Sequence, residues 1–314
     1  MSAAREERKR WLAIIGIVLF LAVDILLVVL ALRSTSPRDS GSASLSEPLP
    51  AASSPSATPT STPSATPAIS PAAPTRILTA LDASVAWRAT TGACPSAVAS
   101  PELTTDGGGT WSSTDLTTTT GVVALQRIVV TDPDTATFLG AADDCTADAA
   151  RTFVAGADFA AAPDQLDGTW YLAPVGGATV HAPGGDVAAP CASTIAIAPL
   201  DDSRAGVLCG DGGVHLTADA GASWTAVESP DGTIALTETS EGVLVASIGT
   251  AQCAGVQLTT ISLTDDSAPL ACVESSESAS DLVGSTAIDW TDDSIWIWVD
   301  DRLLISTDQG ATWT

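Results

Sequence analysis

Three eight-residue stretches carry the most regular chemistry in this chain: TTDGGGTW (residues 104–111), TADAGASW (217–224) and STDQGATW (306–313). They place Asp106, Asp219 and Asp308 in one slot, Gly108, Gly221 and Gly310 two residues later, and Trp111, Trp224 and Trp313 at the end. A recurring carboxylate can serve acid–base chemistry or hold a cation. In the pattern S/T-x-D-x-G-x-T/S-W it has a more local task. A short acidic side chain accepts hydrogen bonds from turn amides, and glycine supplies a positive backbone torsion where a strand reverses. The tryptophan then covers the turn with a large apolar face. These nine residues are therefore predicted to build turns, neither catalysing nor binding metal.

The remaining reactive side chains form no recognisable catalytic set. After residue 75 there are 32 acidic residues, so a glycosidase-like carboxylate pair can be imagined almost anywhere and carries no signal. Asp132, Asp134, Asp201, Asp202, Asp292 and Asp293 sit in turn-like stretches without the spacing of an EF-hand loop. His181 and His215 belong to no HExxH or Cys/His set, and Val214-His215-Leu216 reads as a strand. Trp296 and Trp298, in the apolar run IWIWV, read as a strand covered on both faces rather than as a sugar platform. No GxSxG, Walker or GxGxxG phrase occurs in its required context. No metal and no cofactor is predicted.

The elements that position the boxes are short and β-like. Pairs of alternating runs joined by polar turns recur: RILTALDASVAWRAT, LQRIVVTDPDTATFLG, TIAIAPLDDSRAGVLCG, TIALTETSEGVLVAS and TAIDWTDDSIWIWV. A third run follows each, as in PELTTD, RTFVAGAD and RLLISTD, and a fourth follows the turn, as in TWSST, TWYLAP and SWTAV. The boxes lie 113 and 89 residues apart, about twice a blade length. The expected fold is all-β: a β-propeller of about five four-stranded blades over 76–314.

The octapeptide resembles the Asp-box, or sialidase-type BNR repeat, found in sialidases, other glycoside hydrolases, sortilin-type receptors and photosystem II stability and assembly factors. The resemblance implies a propeller with boxes between third and fourth strands, and it does not choose among those functions. A sialidase-like site would need three arginines on a carboxylate, a Tyr–Glu nucleophile pair and an aspartate. After residue 75 only Arg76, Arg88, Arg127, Arg151, Arg204 and Arg302 are present, and Arg76-Ile77-Leu78 lacks the proline of the family's Arg-Ile-Pro phrase. The single tyrosine, Tyr171, follows the Trp of an eroded box.

All six cysteines lie in the same segment. An even count outside the cytoplasm indicates disulfides. Cys94, Cys145, Cys209 and Cys253 fall near connections between second and third strands, Cys191 precedes a first strand and Cys272 ends a fourth. All six are thus expected on the face opposite the boxes. Of 15 pairings, proximity favours Cys191–Cys209, Cys253–Cys272 and then Cys94–Cys145. Disulfide-held connections on a rigid scaffold mark that face as the expected binding surface.

The N-terminal quarter gives an address. Residues 1–10 are basic, and Trp11–Leu32 is an apolar run of 22 residues broken only by Asp24, about 33 Å as a helix. A signal-anchor helix with a cytoplasmic N-terminus is expected, with everything after it extracytoplasmic. Residues 33–75, rich in Ser, Thr, Pro and Ala, read as a disordered stalk. Six basic residues against the 32 acidic ones beyond it exclude a nucleic-acid partner. The expected function is non-catalytic recognition of an envelope protein or glycan; the alternatives are an extracellular glycoside hydrolase and an assembly factor for a membrane complex. The final box leaves the last unit without most of a fourth strand, to be completed by residues near 68–75, by another chain, or not at all.

Overall fold

The computed structural model describes residues 69–264 and 266–314. The basic segment, the apolar run and the stalk up to residue 68 lie outside the described residues. Among the described residues no helix is long and apolar enough to cross a membrane.

The chain forms six antiparallel sheets, not five. The first holds β1 (Arg76–Ala80), β2 (Ala86–Thr90), β3 (Glu102–Thr104) and β4 (Ser112–Ser113). The second holds β5 (Val123–Val130), β6 (Ala136–Ala141), β7 (Ala147–Thr152) and β8 (Ala160–Ala161). The third has only β9 (Tyr171–Leu172), β10 (Thr179–Ala182) and β11 (Gly185–Ala188). The fourth holds β12 (Thr194–Pro199), β13 (Ala205–Cys209), β14 (Val214–Thr217) and β15 (Thr225–Val227). β16 (Thr233–Glu238), β17 (Gly242–Ile248), β18 (Gly255–Ser262) and β19 (Ser267–Glu274) make the fifth; β20 (Ala287–Trp290), β21 (Ile295–Val299) and β22 (Arg302–Ser306) make the sixth.

First strands β1, β5, β9, β12, β16 and β20 lie side by side, and β20 returns to β1. The result is a six-bladed β-propeller. Second strands explain the runs that are apolar throughout: β17 is buried at every residue and Trp296 in β21 is fully buried, because a sheet on each side covers both faces. Apolar clusters fill the space between successive sheets. Trp87, Phe138 and Phe159 join the first and second, and Leu216, Leu236 and Val243 join the fourth and fifth. Among the described residues, the seam between the second and third sheets alone has no such cluster.

The five-blade expectation fails at residues 160–188. The fourth strand of the second sheet is β8, not the TWYLAP stretch, whose Tyr171 and Leu172 instead begin a blade of their own. Its strands are two to four residues long and set among Pro174, Gly176, Gly177, Pro183, Gly184 and Gly185, so no alternating run exposes them. The third sheet also runs backwards. Trp170, just before β9, donates its indole N–H to Asp201 O beyond the end of β12 at 2.8 Å. Gly177, after β9, accepts from the backbone of Thr194 at the start of β12 at 3.0 Å. Hence β9 is antiparallel to β12. Pro163, lacking an N–H, ends the β8 ladder at the Ala162–Ala149 bond, and a 3-10 turn (Pro163–Leu166) redirects the chain inward.

At the outer edge of the last sheet the backbone of Thr314 bonds Ile305 in both directions at 3.0 and 3.1 Å. Residues 69–75 lie elsewhere: Ile69 packs into the cluster of the fifth and sixth sheets, and the Thr75 N–H donates to Gly284 O at 2.6 Å. The seam between sixth and first sheets is cationic and aromatic. The Arg88 guanidinium sits 4.0 Å from the Trp111 ring centre and 4.9 Å from that of Trp298, and Arg76 sits 4.6 Å from Trp298.

Candidate functional site

Each octapeptide forms a closed turn after a third strand. The hydroxyls of Thr104, Thr217 and Ser306 donate to Asp106, Asp219 and Asp308 at 2.8, 2.9 and 2.8 Å. The same hydroxyls accept from the N–H of Gly108, Gly221 and Gly310 at 2.9, 3.0 and 2.8 Å. Each carboxylate then accepts from the backbone N–H and the hydroxyl of Thr110, Ser223 or Thr312. These bonds favour the ionised form and hold all three aspartates below the ordinary carboxylate range, Asp308 at about 2. Each carboxylate thus spends its hydrogen bonds inside its own turn.

The glycines have a second task. With φ of +82°, +81° and +85°, Gly108, Gly221 and Gly310 face the preceding sheet, where a Cβ would lie 2.9 Å from Leu303, 2.7 Å from Val187 and 2.5 Å from Ala271. A fourth turn of this kind escapes the sequence pattern. Thr152–Phe159 puts Val154 in the aspartate slot and Phe159 in the tryptophan slot, yet Gly156 keeps φ +78° and its N–H donates to Thr152 Oγ1 at 3.0 Å. The surviving signal is the Thr, Gly and aromatic spacing.

Disulfides join Cys94 to Cys145, Cys191 to Cys209 and Cys253 to Cys272. They sit at second-to-third connections and at blade boundaries, away from the boxes. Among the described residues, the arginines share no common carboxylate. Arg88 pairs with Glu102, Arg204 with Asp201 and Arg302 with Asp300, while Arg76 donates to the carbonyls of Ser285 and Asp300. Asp132 and Asp201 cap their own turns, accepting from the N–H groups two and three residues on. His215 lies in β14 with Nδ1 3.5 Å from the bridged Cys209 sulfur.

The six first strands enclose a central cavity of about 630 Å³. Gly92, Cys94, Pro174, Gly177 and Gly284, all on the disulfide face, line it. Among the described residues, none of the first turns on the box face (81–85, 131–135, 200–204, 239–241 and 291–294) does so. The cavity therefore opens toward the disulfides. Ile77, Leu125, Ile197, Ile234 and Ile288 contribute apolar wall, and Arg127, Glu238 and Asp289 place charge toward the inner end.

The Thr237 hydroxyl stands between Glu238 and Asp289, and Arg127 feels the charge of both. Asp289 is 6% exposed; its Oδ2 accepts from the Ala80 N–H at 2.7 Å and its Oδ1 from the Thr237 hydroxyl at 3.1 Å. Burial, with the Glu238 carboxylate second, pushes Asp289 well above the usual carboxylate range. The Thr237 hydroxyl also lies 3.3 Å from Glu238 Oε2. Arg127 Nη1 donates to Trp170 O at 3.2 Å; burial lowers the proton affinity of its guanidinium, and Glu238 and Asp289 oppose that fall. Sequence reasoning missed Glu238 and Asp289 and met Arg127 only as one of six arginines. The available signal was an aspartate inside the apolar strand AIDW.

No family model matches this chain, and no curated protein matches it. Several solved structures are similar. YCF48 bound to D1 peptide is 17% identical, with 79% of this chain and 68% of that one covered and a TM-score of 0.29. Aleuria aurantia lectin in complex with Fucalpha1-6GlcNAc is 10% identical over 76% of this chain and 94% of that one, TM-score 0.46. A GH74 xyloglucanase from Xanthomonas campestris is 17% identical over 76% of this chain and 37% of that one, TM-score 0.29. The likeness is one of sheet arrangement and goes no further.

Proposed function

We propose that this chain is a membrane-anchored, stalked Asp-box propeller that recognises a protein or glycan partner outside the cytoplasm without chemical change. The observation that carries the reading is the central cavity, which opens among the disulfide-held connections and presents Arg127 and Glu238 inside it. A guanidinium with several donors beside a carboxylate acceptor suits a hydroxyl-rich or polar group of a partner. The acidic exterior favours a neutral or basic one.

Hydrolysis is the second reading, because Glu238 and Asp289 are a carboxylate pair with one member raised well above the usual carboxylate range by burial. It is the weaker one. A general acid must reach the leaving oxygen, and both Asp289 oxygens are bonded to Ala80 and Thr237.

The test is capture with the full chain, disulfides intact, from cell-wall polymer and from detergent-solubilised membranes in parallel. Retention of one fraction by the wild type and its loss in Arg127→Gln supports the reading. Equal capture by wild type and variant overturns the assignment of the site, and release of cleaved product restores the hydrolase.

A further inference from the structure

A second void lies beside the first. It measures about 250 Å³ and sits between the β6–β7 turn of the second sheet and the third sheet, the seam that lacks an apolar cluster. Tyr171, Ala173 and Pro174 line both voids, so they form a shared wall. On the outer side the Tyr171 ring stacks on His181, with centroids 4.3 Å apart and planes at 21°. His181 Nδ1 lies 2.7 Å from Asp186 Oδ1, which leaves the opposite ring nitrogen and the second carboxylate oxygen for other partners. Thr146 and Thr179 add hydroxyls to the lining, and Val175, 69% exposed, stands at the rim.

The ladder register sets Tyr171, His181 and Asp186 in one row across β9, β10 and β11. Each of the other seams holds an apolar cluster, whereas this seam presents an aromatic ring, an imidazole, a carboxylate and two hydroxyls around a space fit for a single six-membered ring. A carboxylate, an imidazole nitrogen and hydroxyls together offer donors and acceptors to adjacent ligand hydroxyls, and an apolar rim covers ring C–H groups. The Asp186 charge disfavours an acidic ligand.

We propose that this pocket is an outer subsite for one neutral sugar ring of a glycan chain whose neighbouring rings pass over the Ala173–Pro174 wall into the central cavity. The inference rests on the reading of the central cavity as a binding site and narrows its partner to a neutral oligosaccharide. His181 and Asp186 are the polar anchors of the outer ring, and Tyr171 divides the two positions.

Calorimetric titration of the full chain with glucose and N-acetylglucosamine oligomers of increasing length tests it. Affinity is expected to rise once the oligomer is long enough to span the wall. Asp186→Ala, at a side chain 72% exposed and so without consequence for folding, is expected to weaken the long oligomers by about 10-fold or more, and to leave the monosaccharides unchanged. His181→Phe, which keeps a ring against Tyr171, is expected to match it. Affinity of long oligomers that is unaltered by Asp186→Ala overturns the outer subsite. If Arg127→Gln weakens every length while Asp186→Ala weakens none, the central site stands and the outer one falls. Failure of both oligomer series to bind, alongside Arg127-dependent capture of a membrane protein, overturns the glycan and leaves a protein partner.

Discussion

The Asp289 carboxylate accepts the backbone N–H of Ala80, 209 residues earlier in the chain, at 2.7 Å. One bond thus ties the first strand of the last blade to the first strand of the first. Burial, with the Glu238 carboxylate second, raises the Asp289 carboxyl well above its ordinary value even though the bond from Ala80 itself favours the ionised form. A carboxyl raised in the folded state contributes stability that is fully present below its unfolded value, ordinarily 3.8, and lost as pH rises through the folded value. Thermal scans from pH 4 upward should show that loss, and Asp289→Asn, which keeps an acceptor for Ala80, should flatten it. An unchanged slope in the variant would place the titration elsewhere.

Glycine at a box is set by its neighbour as well as by its torsion. Gly156→Ala would put a methyl 2.6 Å from the Trp87 ring at φ +78°, whereas Gly168, at φ +74°, has open space. Gly168→Ala should cost about 1–2 kcal/mol, the left-handed penalty alone. Gly156→Ala should cost about 1–3 kcal/mol more for overpacking. Denaturant unfolding of the two variants separates the terms, and equal losses would remove the contact between sheets from the account.

The box aspartates contribute to the acid limb, together with Asp115, Asp144 and Asp201, which are lowered in the same way. Asp308 titrates at about 2 in the folded chain against an ordinary 3.8, and Asp106 and Asp219 are shifted the same way. A lowered carboxyl contributes stability above the unfolded value and loses it as pH falls through the folded one. Asp308→Asn should therefore be less stable than wild type at pH 5, with the gap closing between pH 4 and pH 2. A gap that persists at pH 2 would mean that shape, not charge, sets its contribution.

The disulfides should differ in weight. Cys94–Cys145 closes 51 residues and joins two blades, against 18 and 19 residues for the other two. Chain entropy gives about 4 kcal/mol for the long loop and about 3 kcal/mol for each short one. Paired Cys→Ser replacement with measured unfolding midpoints should rank Cys94–Cys145 first, and the reverse ranking would show that unfolded-state closure is not the dominant effect.

What the sequence made legible was local. The three boxes are readable because the side-chain bonds that close the turn around each aspartate span at most four residues, and the disulfide face follows from where cysteines fall along a meander. The second box is hidden because Val154 and Phe159 replace the letters that mark it, while Thr152 and Gly156 preserve its geometry. The third blade is hidden because two- to four-residue strands have no period to detect. Arg127, Glu238 and Asp289 come from three different sheets, so their meeting is a property of the closed ring alone. Trp11–Leu32, expected from the sequence to be a membrane anchor, lies outside the described residues.

A blade with an even number of strands hands the chain on at the end where it received it; the reversed third blade, with three, does not. Its odd count corrects the direction that the shortened β8 leaves behind. Modular exchange is therefore restricted at this point. A unit such as 194–232 could be copied or deleted and the ring would still thread, but excising 171–193 would deliver the chain to β12 at the wrong end. The third blade is thus the one module that cannot be traded without also rebuilding the one before it.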